Sequence, residues 1–300
     1  MKMNLAGVVV TLLISISHIG AQESDLPVLT GPYLGQKPPD LKPVVFAQGI
    51  VEPDLHGCPV FTPDGMEAFW STMAGFRMHH SAVVDGVWSV PREFEFSREL
   101  DWSDSPILTP DGKRLFFNSR IPGSGGADPK ENIWFMERNG DGWGSPQQLS
   151  EKVNRLRLHW QVSVADNGNL YFCSSSTGGG DIYMSRLVDG EYTEPEALGP
   201  SINGPTYDLE PFIAPDESYL ILSRVDNKSE IKYADLYISF KDAAGAWTRA
   251  VPMEALNEPY VHETAANVTR DGKYLFFLRN TKAGLSAHWV SAKVIDNYRP

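Results

Sequence analysis

The sequence predicts an all-β fold, a five-bladed β-propeller of four-stranded antiparallel blades, closed by an N-terminal strand that pairs with the last blade. Three observations predict it. Five turns of one kind recur: Thr62-Pro63-Asp64-Gly65, Thr109-Pro110-Asp111-Gly112, Ala165-Asp166-Asn167-Gly168, Ala214-Pro215-Asp216-Glu217 and Thr269-Arg270-Asp271-Gly272. Their last residues stand 47, 56, 49 and 55 positions apart (65 to 112 to 168 to 217 to 272), and spacing in this range marks an array of similar units. The third observation concerns the ends: the fifth unit lacks an outer strand, and a segment of matching pattern stands near the start of the chain.

The second unit shows the grammar of one blade. Ser105–Leu108 reads as a short strand running into the Asp111-Gly112 turn, where Asp-Gly tolerates the positive φ of a tight hairpin. Lys113–Asn118 returns, Asn132–Met136 forms a third strand, and Trp143–Leu149 a fourth after the turn at Asn139-Gly140-Asp141-Gly142. Four strands joined in a meander make one blade. Later third strands read Asp181–Ser185, Asp235–Ser239 and Ala287–Ser291. Fourth strands open on an aromatic, with a Pro three residues on: Trp88 with Pro91, Trp143 with Pro146, Tyr192 with Pro195, and Trp247 without one. Pro is tolerated there because an outer strand has a free edge where a missing N–H costs little. The segment 43–51 carries the same Pro-to-apolar spacing, from Pro43 to Ile50, and is assigned to the outer edge of the last blade. Ring closure of this kind removes exposed sheet edges.

Composition bounds the rest. A formal charge of −12 argues against nucleic acid or an anionic membrane surface as the main partner, since both require a basic face. Met1-Lys2, an apolar run from Leu5 to Ile19 and the small-residue exit Gly20-Ala21-Gln22 read as a signal peptide over 1–21. The run is too short for a comfortable membrane span. The chain is therefore expected to be exported, to the periplasm or the extracellular space, and to be monomeric. Residues 22–42 read as an irregular, Pro-rich lead-in, and 43–300 as a single domain. Cys58 and Cys173 fall in different units and are expected to be separate buried thiols. The Asn-Gly-Asp-Gly and Pro-Asp-Gly segments lack the spaced acidic ligands of an EF-hand and read as turns.

These turns and strands resemble the WD40-like PD40 repeat of the TolB-like β-propeller superfamily, over residues 43–295. Its relatives include a translocation-system component, peptidase propeller domains and carbohydrate-active enzymes, so the resemblance implies architecture far more than activity. No Gly-x-Ser-x-Gly nucleophile signature is present, which disfavours the peptidase branch. The resemblance further implies that ligands sit over the central channel, at the face where the innermost strands begin.

Aligned on the turns, the residues expected at that mouth are His56, Ser103, His159, Asp208 and Glu263. Their neighbours add Asp54, Asp101, Asp104, Arg157, Trp160, Gln161, Tyr207, Glu210 and His262. Imidazoles and carboxylates gathered together suit general acid/base work or a divalent cation. Asp104 paired with Glu210 or Glu263 would suit glycoside hydrolysis, and Trp160 and Tyr207 would stack on a sugar ring. A polar lining is equally what a wet channel requires. Arg77, Arg120, Arg224 and Arg279 stand near the ends of second strands, where they can either recognise an anionic ligand or pair with the acids already named. The Gly-rich segments 120–132 and 174–180 read as flexible covering loops. The leading function is an exported propeller binding a glycan or a protein partner at the channel mouth. The alternative is a carbohydrate-active enzyme, a glycoside hydrolase or a metal-assisted polysaccharide lyase, working from the same residues.

Overall fold

The computed structural model describes residues 28–51, 54–98, 100, 102–120, 131–176, 178–226, 233–282 and 284–300. Five antiparallel blades form a ring. From the channel outward, blade 1 is built from Val60–Phe61, Glu67–Thr72 and Arg77–Val84, and blade 2 from Ser103–Leu108, Arg114–Arg120 and Glu131–Asn139. Blade 3 uses Leu158–Val164, Leu170–Ser174 and Asp181–Ser185; blade 4 uses Tyr207–Ile213, Tyr219–Asp226 and Tyr233–Phe240. Blade 5 comprises His262–Val268, Tyr274–Thr281 and Gly284–Ser291, and its fourth strand is Val44–Val45.

That last pairing closes the ring. Val44 faces Trp289 and Val45 faces His288, and the next amide, Phe46 N, donates to Ala287 O at 2.8 Å. Phe46 and Trp289 pack edge to face with centroids 5.1 Å apart, among a buried cluster that also holds Phe61 and Trp70 of blade 1. Residues before the strand contribute as well. Tyr33 is wedged edge-on against Phe61 and Tyr274, and Gly31 O accepts the Trp88 indole N–H at 2.7 Å. Aromatic edges of this kind add about 0.5–1.5 kcal/mol each beyond burial, so the seam between first and last blade is held by packing as well as by the ladder.

The second strands are apolar on both faces because each blade is sandwiched between two others. Leu115, Phe116 and Phe117 are all buried, as are Leu275, Phe276 and Phe277. The outer strands differ from expectation. The run Trp143–Leu149 is split into Gly142–Trp143 and Gln147–Gln148, and blades 1 and 3 break likewise around Pro91 and Pro195. Proline lacks the N–H that would continue the ladder, so the strand steps out and rejoins. In the connectors after blades 2, 3 and 4 an asparagine repairs the edge: Asn154 brackets Ile133, Asn203 brackets Ile182 and Asn257 brackets Leu236, each by its side-chain amide to that residue's N–H and C=O. Among the described residues no helix is long and apolar enough to cross a membrane.

Candidate functional site at the channel mouth

The innermost strands of blades 2 to 5 share one irregularity. Each carries a register shift, between Asp104 and Ile107, His159 and Val162, Leu209 and Phe212, and Thr264 and Asn267. A bulge places two residues opposite one and re-aims the side chains above it. In blades 2, 4 and 5 the bulge puts a non-glycine residue in left-handed backbone: Ser105 (φ 51°), Glu210 (φ 49°) and Ala265 (φ 53°). Blade 1 uses Gly57 (φ 100°). These residues ring the channel just inside its mouth.

His56 and Asp104 meet there. His56 Nδ1 donates to Asp104 Oδ2 at 2.6 Å, across the junction of blades 1 and 2. Ser71 Oγ contacts the other carboxylate oxygen at 2.6 Å and also His56 O, while Ser105 Oγ donates to Oδ2 at 3.2 Å. Asp104 is fully buried and both its oxygens are engaged, so it acts as an anchor for the imidazole. The His56 side chain is 22 % exposed, and its Nε2 is not used by a described residue. Burial works against a charge on His56, but the hydrogen bond and charge of Asp104 outweigh it and raise its pKa.

Glu210 extends the cluster. Its Oε2 accepts Ser223 Oγ and Ala265 N, each at 2.9 Å. Burial raises its pKa, those hydrogen bonds and the charge of His56 oppose the rise, and the charge of Asp104 adds to it. Gln161 crosses the channel beside it, donating to Ala266 O at 3.1 Å and Pro211 O at 3.3 Å, and so ties blade 3 to blades 4 and 5.

Two other predicted acids are committed to arginines. Asp208 binds Arg224 Nε at 2.6 Å, and Glu263 binds Arg279 Nε at 3.0 Å. Each arginine then donates to a connector carbonyl, Arg224 to Ile202 O and Arg279 to Leu256 O at 2.7 Å. Arg279 also reaches Glu258 at 2.6 Å. Of the two readings the sequence left open for these arginines, pairing with the acids is the arrangement found, and it fastens each inner strand to the incoming connector. Burial raises the pKa of Asp208 against Arg224, and pushes that of Glu263 up to about 7 against Arg279.

The remaining candidates lie at the rim. Tyr207 is 40 % exposed and Tyr260, on the connector to blade 5, is 80 % exposed. Tyr260 packs on Tyr233, whose ring lies 5.3 Å from that of His262. His262 Nδ1 accepts Ala234 N at 3.2 Å. Arg157 is exposed on the connector to blade 3. Arg120 stacks over Trp102, 5.1 Å from its ring centre. His159 pairs with Cys173 through the backbone; the side chains of His159 and Trp160, like Asp101 and residues 121–130, lie outside the described parts. At the end of the Gly-rich segment 174–180, Gly180 O accepts Asp208 N at 2.9 Å, and a Cβ on Gly180 would meet Leu209 at 2.7 Å, so this last residue is packed against blade 4, whereas Gly178 and Gly179 have open space around them.

Sequence reasoning missed three members of the site: Ser71, which links His56 to Asp104; Ser223, which holds Glu210; and Phe76, 40 % exposed, whose ring lies 5.2 Å from His56 and 5.6 Å from Trp102. No turn motif marks them, because they sit on second strands or the hairpins beyond. Cys58 and Cys173 are both free and buried, and burial raises both thiols. Among the described residues, no three of His, Cys, Asp and Glu are placed to hold a metal ion.

No family model matches the sequence, and no curated protein matches it. The fold does have solved counterparts. TolB from Acinetobacter baumannii superposes with a TM-score of 0.52 at 13 % identity, over 87 % of this chain and 62 % of its own. The chain thus spans less than two thirds of that TolB. The Bacillus subtilis arabinanase Arb43A gives 0.51 at 12 % identity, over 78 % of this chain and 93 % of its own. A mutant of the GH43 protein BlXynB from Bacillus licheniformis gives 0.51 at 11 %, over 83 % and 54 %. At such identities the likeness is one of fold.

Proposed function

We propose that this chain is an exported ligand-binding propeller that takes a glycan across the mouth of its channel. The observation that carries the reading is the His56–Asp104 pair set among exposed aromatic rings. Phe76 lies beside the imidazole, and Tyr207 and Tyr260 stand across the ring. A sugar presents an apolar face that stacks on such rings and hydroxyls that seek hydrogen-bond partners. Asp104 occupies Nδ1 and leaves His56 Nε2 to meet a hydroxyl. The presence of an arabinanase and a GH43 protein among the fold's counterparts supports a carbohydrate over other ligands. The apolar segment after Lys2 supports export.

A second reading, glycoside hydrolysis, is favoured by one observation. Burial raises the pKa of Glu210 next to His56, which is the direction a general acid requires. Asp104 and Glu263 are committed elsewhere, so the partner base in this reading is His56, with Asp104 as its positioning residue.

Calorimetric titration with a panel of neutral and acidic oligosaccharides separates the readings. The wild type is expected to bind at least one class. His56→Ala should weaken binding about tenfold, the loss of one hydrogen bond in a partly desolvated site, and Tyr207→Ala by several-fold. Glu210→Gln should leave binding intact in either case and abolish turnover only if the chain is an enzyme. Failure of the wild type to bind any of the panel, with a protein ligand captured at the same face, would overturn the glycan reading.

A further inference from the structure

Among the described residues, blade 5 alone lacks the edge repair. In blades 2, 3 and 4 an asparagine side chain meets the N–H of Ile133, Ile182 and Leu236, and in blade 1 Ser103 Oγ accepts Met78 N at 3.3 Å. The blade 5 counterpart is Ala287, whose C=O accepts Phe46 N as Ile133 O accepts Leu149 N. The connector turn that follows has the same backbone bonds. Val51 N donates to Ala47 O at 3.1 Å, as Asn154 N does to Ser150 O and Asn203 N to Gly199 O, each at 3.0 Å. Val51 therefore stands where the asparagines stand, and it has no side-chain amide to offer. The N–H and C=O of one strand residue project to the same side, so the Ala287 N–H faces this edge, and no described residue accepts it.

A cavity of about 600 Å³ opens at the same place, bounded by Val51 and Ala287 themselves and by Phe46, Ile50, Leu55 and Leu285. Small-molecule sites run from about 300 to 1,000 Å³, so the space suits a ligand group. Leu55 immediately precedes His56, which sets the cavity beside the channel mouth. No Asp, Glu, Lys or Arg lines it. Burial and the charge of Arg279 lower the pKa of its one histidine, His288, which is neutral at pH 7. A charged group would lose its hydration here with no counter-charge to offset the loss. Water would satisfy the N–H but leave the apolar walls wet. A neutral carbonyl carrying a methyl answers both, because its oxygen accepts the N–H and its carbon displaces loosely held water.

Building on the glycan reading above, we infer that this cavity is a subsite for the acetamido group of an N-acetylated sugar, with its carbonyl on Ala287 N and its methyl against Val51, Phe46 and Leu55. The subsite selects N-acetylated glycans over their 2-hydroxyl counterparts, while His56 and the rim aromatics take the rest of the saccharide.

Calorimetric titration with two matched neutral trimers, β-1,4-linked N-acetylglucosamine and β-1,4-linked glucose, tests this. The wild type should prefer the acetylated trimer about tenfold, the worth of one hydrogen bond and a buried methyl. Val51→Asn, which installs the residue that three other blades use, should abolish that preference. Should this variant fold poorly, saturation-transfer NMR on the wild type should show its strongest transfer at the acetyl methyl. Equal affinities for the two trimers, an undiminished preference in Val51→Asn, or transfer spread evenly over the sugar would overturn the subsite and leave the glycan reading standing. Binding of neither trimer while other saccharides of the panel bind would do the same. Binding of no saccharide at all would remove both.

Discussion

At the turn face, left-handed backbone falls on glycine in four blades of five, at Gly65, Gly112, Gly168 and Gly272; at the mouth it falls on Ser105, Glu210 and Ala265. Glycine adopts that conformation without penalty, whereas other residues pay about 1–2 kcal/mol. Gly112 is doubly required, since a Cβ there would stand 2.9 Å from Pro63 of the neighbouring turn. The turn face is thus built for relaxed, close packing of one blade on the next. The mouth carries strain, and that strain coincides with the titratable cluster of His56, Asp104 and Glu210. Strained backbone persists only where surrounding contacts over-determine it, and here Ser71, Ser223 and the ion pairs of Arg224 and Arg279 do so.

The one exception at the turn face follows the same rule. Glu217 takes the glycine position with φ 58° and binds Asn169 at 2.9 Å, Tyr171 at 2.7 Å and Lys241 at 3.0 Å. It joins blades 3 and 4, so the departure from glycine serves an inter-blade tie.

The largest expected effect comes from the mouth. Arg279→Ala leaves Glu263 buried without its main cation and should cost about 3–5 kcal/mol in chemical denaturation. A loss below about 1 kcal/mol would mean that these pairs do not hold the strained ring. Next, Glu217→Ala should cost about 1–3 kcal/mol through the lost hydrogen bonds. Glu217→Gly should cost about 1 kcal/mol less, because glycine relieves the backbone. Equal losses would show that the turn stores no strain.

A third effect is a pH dependence. The folded pKa of Glu263, about 7, lies above its ordinary 4.5, so the folded chain holds this proton more tightly than the unfolded chain does. The stability it contributes is complete below about 4.5 and is lost as pH rises toward 7. Thermal unfolding from pH 5 to 8 should therefore show a decline that Glu263→Gln flattens; an unchanged profile would place the mouth's pH sensitivity elsewhere. The smallest effect is at the rim. Tyr260→Ala should change stability by no more than about 0.5 kcal/mol while weakening glycan binding, which a role in blade packing would not allow.

Much of the fold was legible because its signals are local. Turn chemistry at Asp111-Gly112 and the Pro43-to-Ile50 spacing name the inner hairpin of a blade and a closing strand without reference to distant residues. The site was legible only as a set of positions. Which side chains enter the channel depends on the bulges after Asp104, Leu209 and Thr264, and a one-residue slip turns every side chain to the other face. Arg224 and Arg279 therefore left two readings open in the sequence, ligand recognition or pairing with the acids, and stand as clamps in the fold. Arg270 and Glu217 were visible as departures from the repeat, but nothing near them in sequence names Leu108 or Tyr171 as their partners. Asn154, Asn203 and Asn257 were within reach, since each follows an apolar residue at the end of a connector.

By itself, the order of residues determined how many sheets form and that the first and last would join, because hairpin geometry and apolar alternation act over a few residues. Only the assembled ring decided which charges neutralise one another and which remain for a ligand. Those pairings join groups up to 71 positions apart, and their energies depend on burial that no single blade possesses alone.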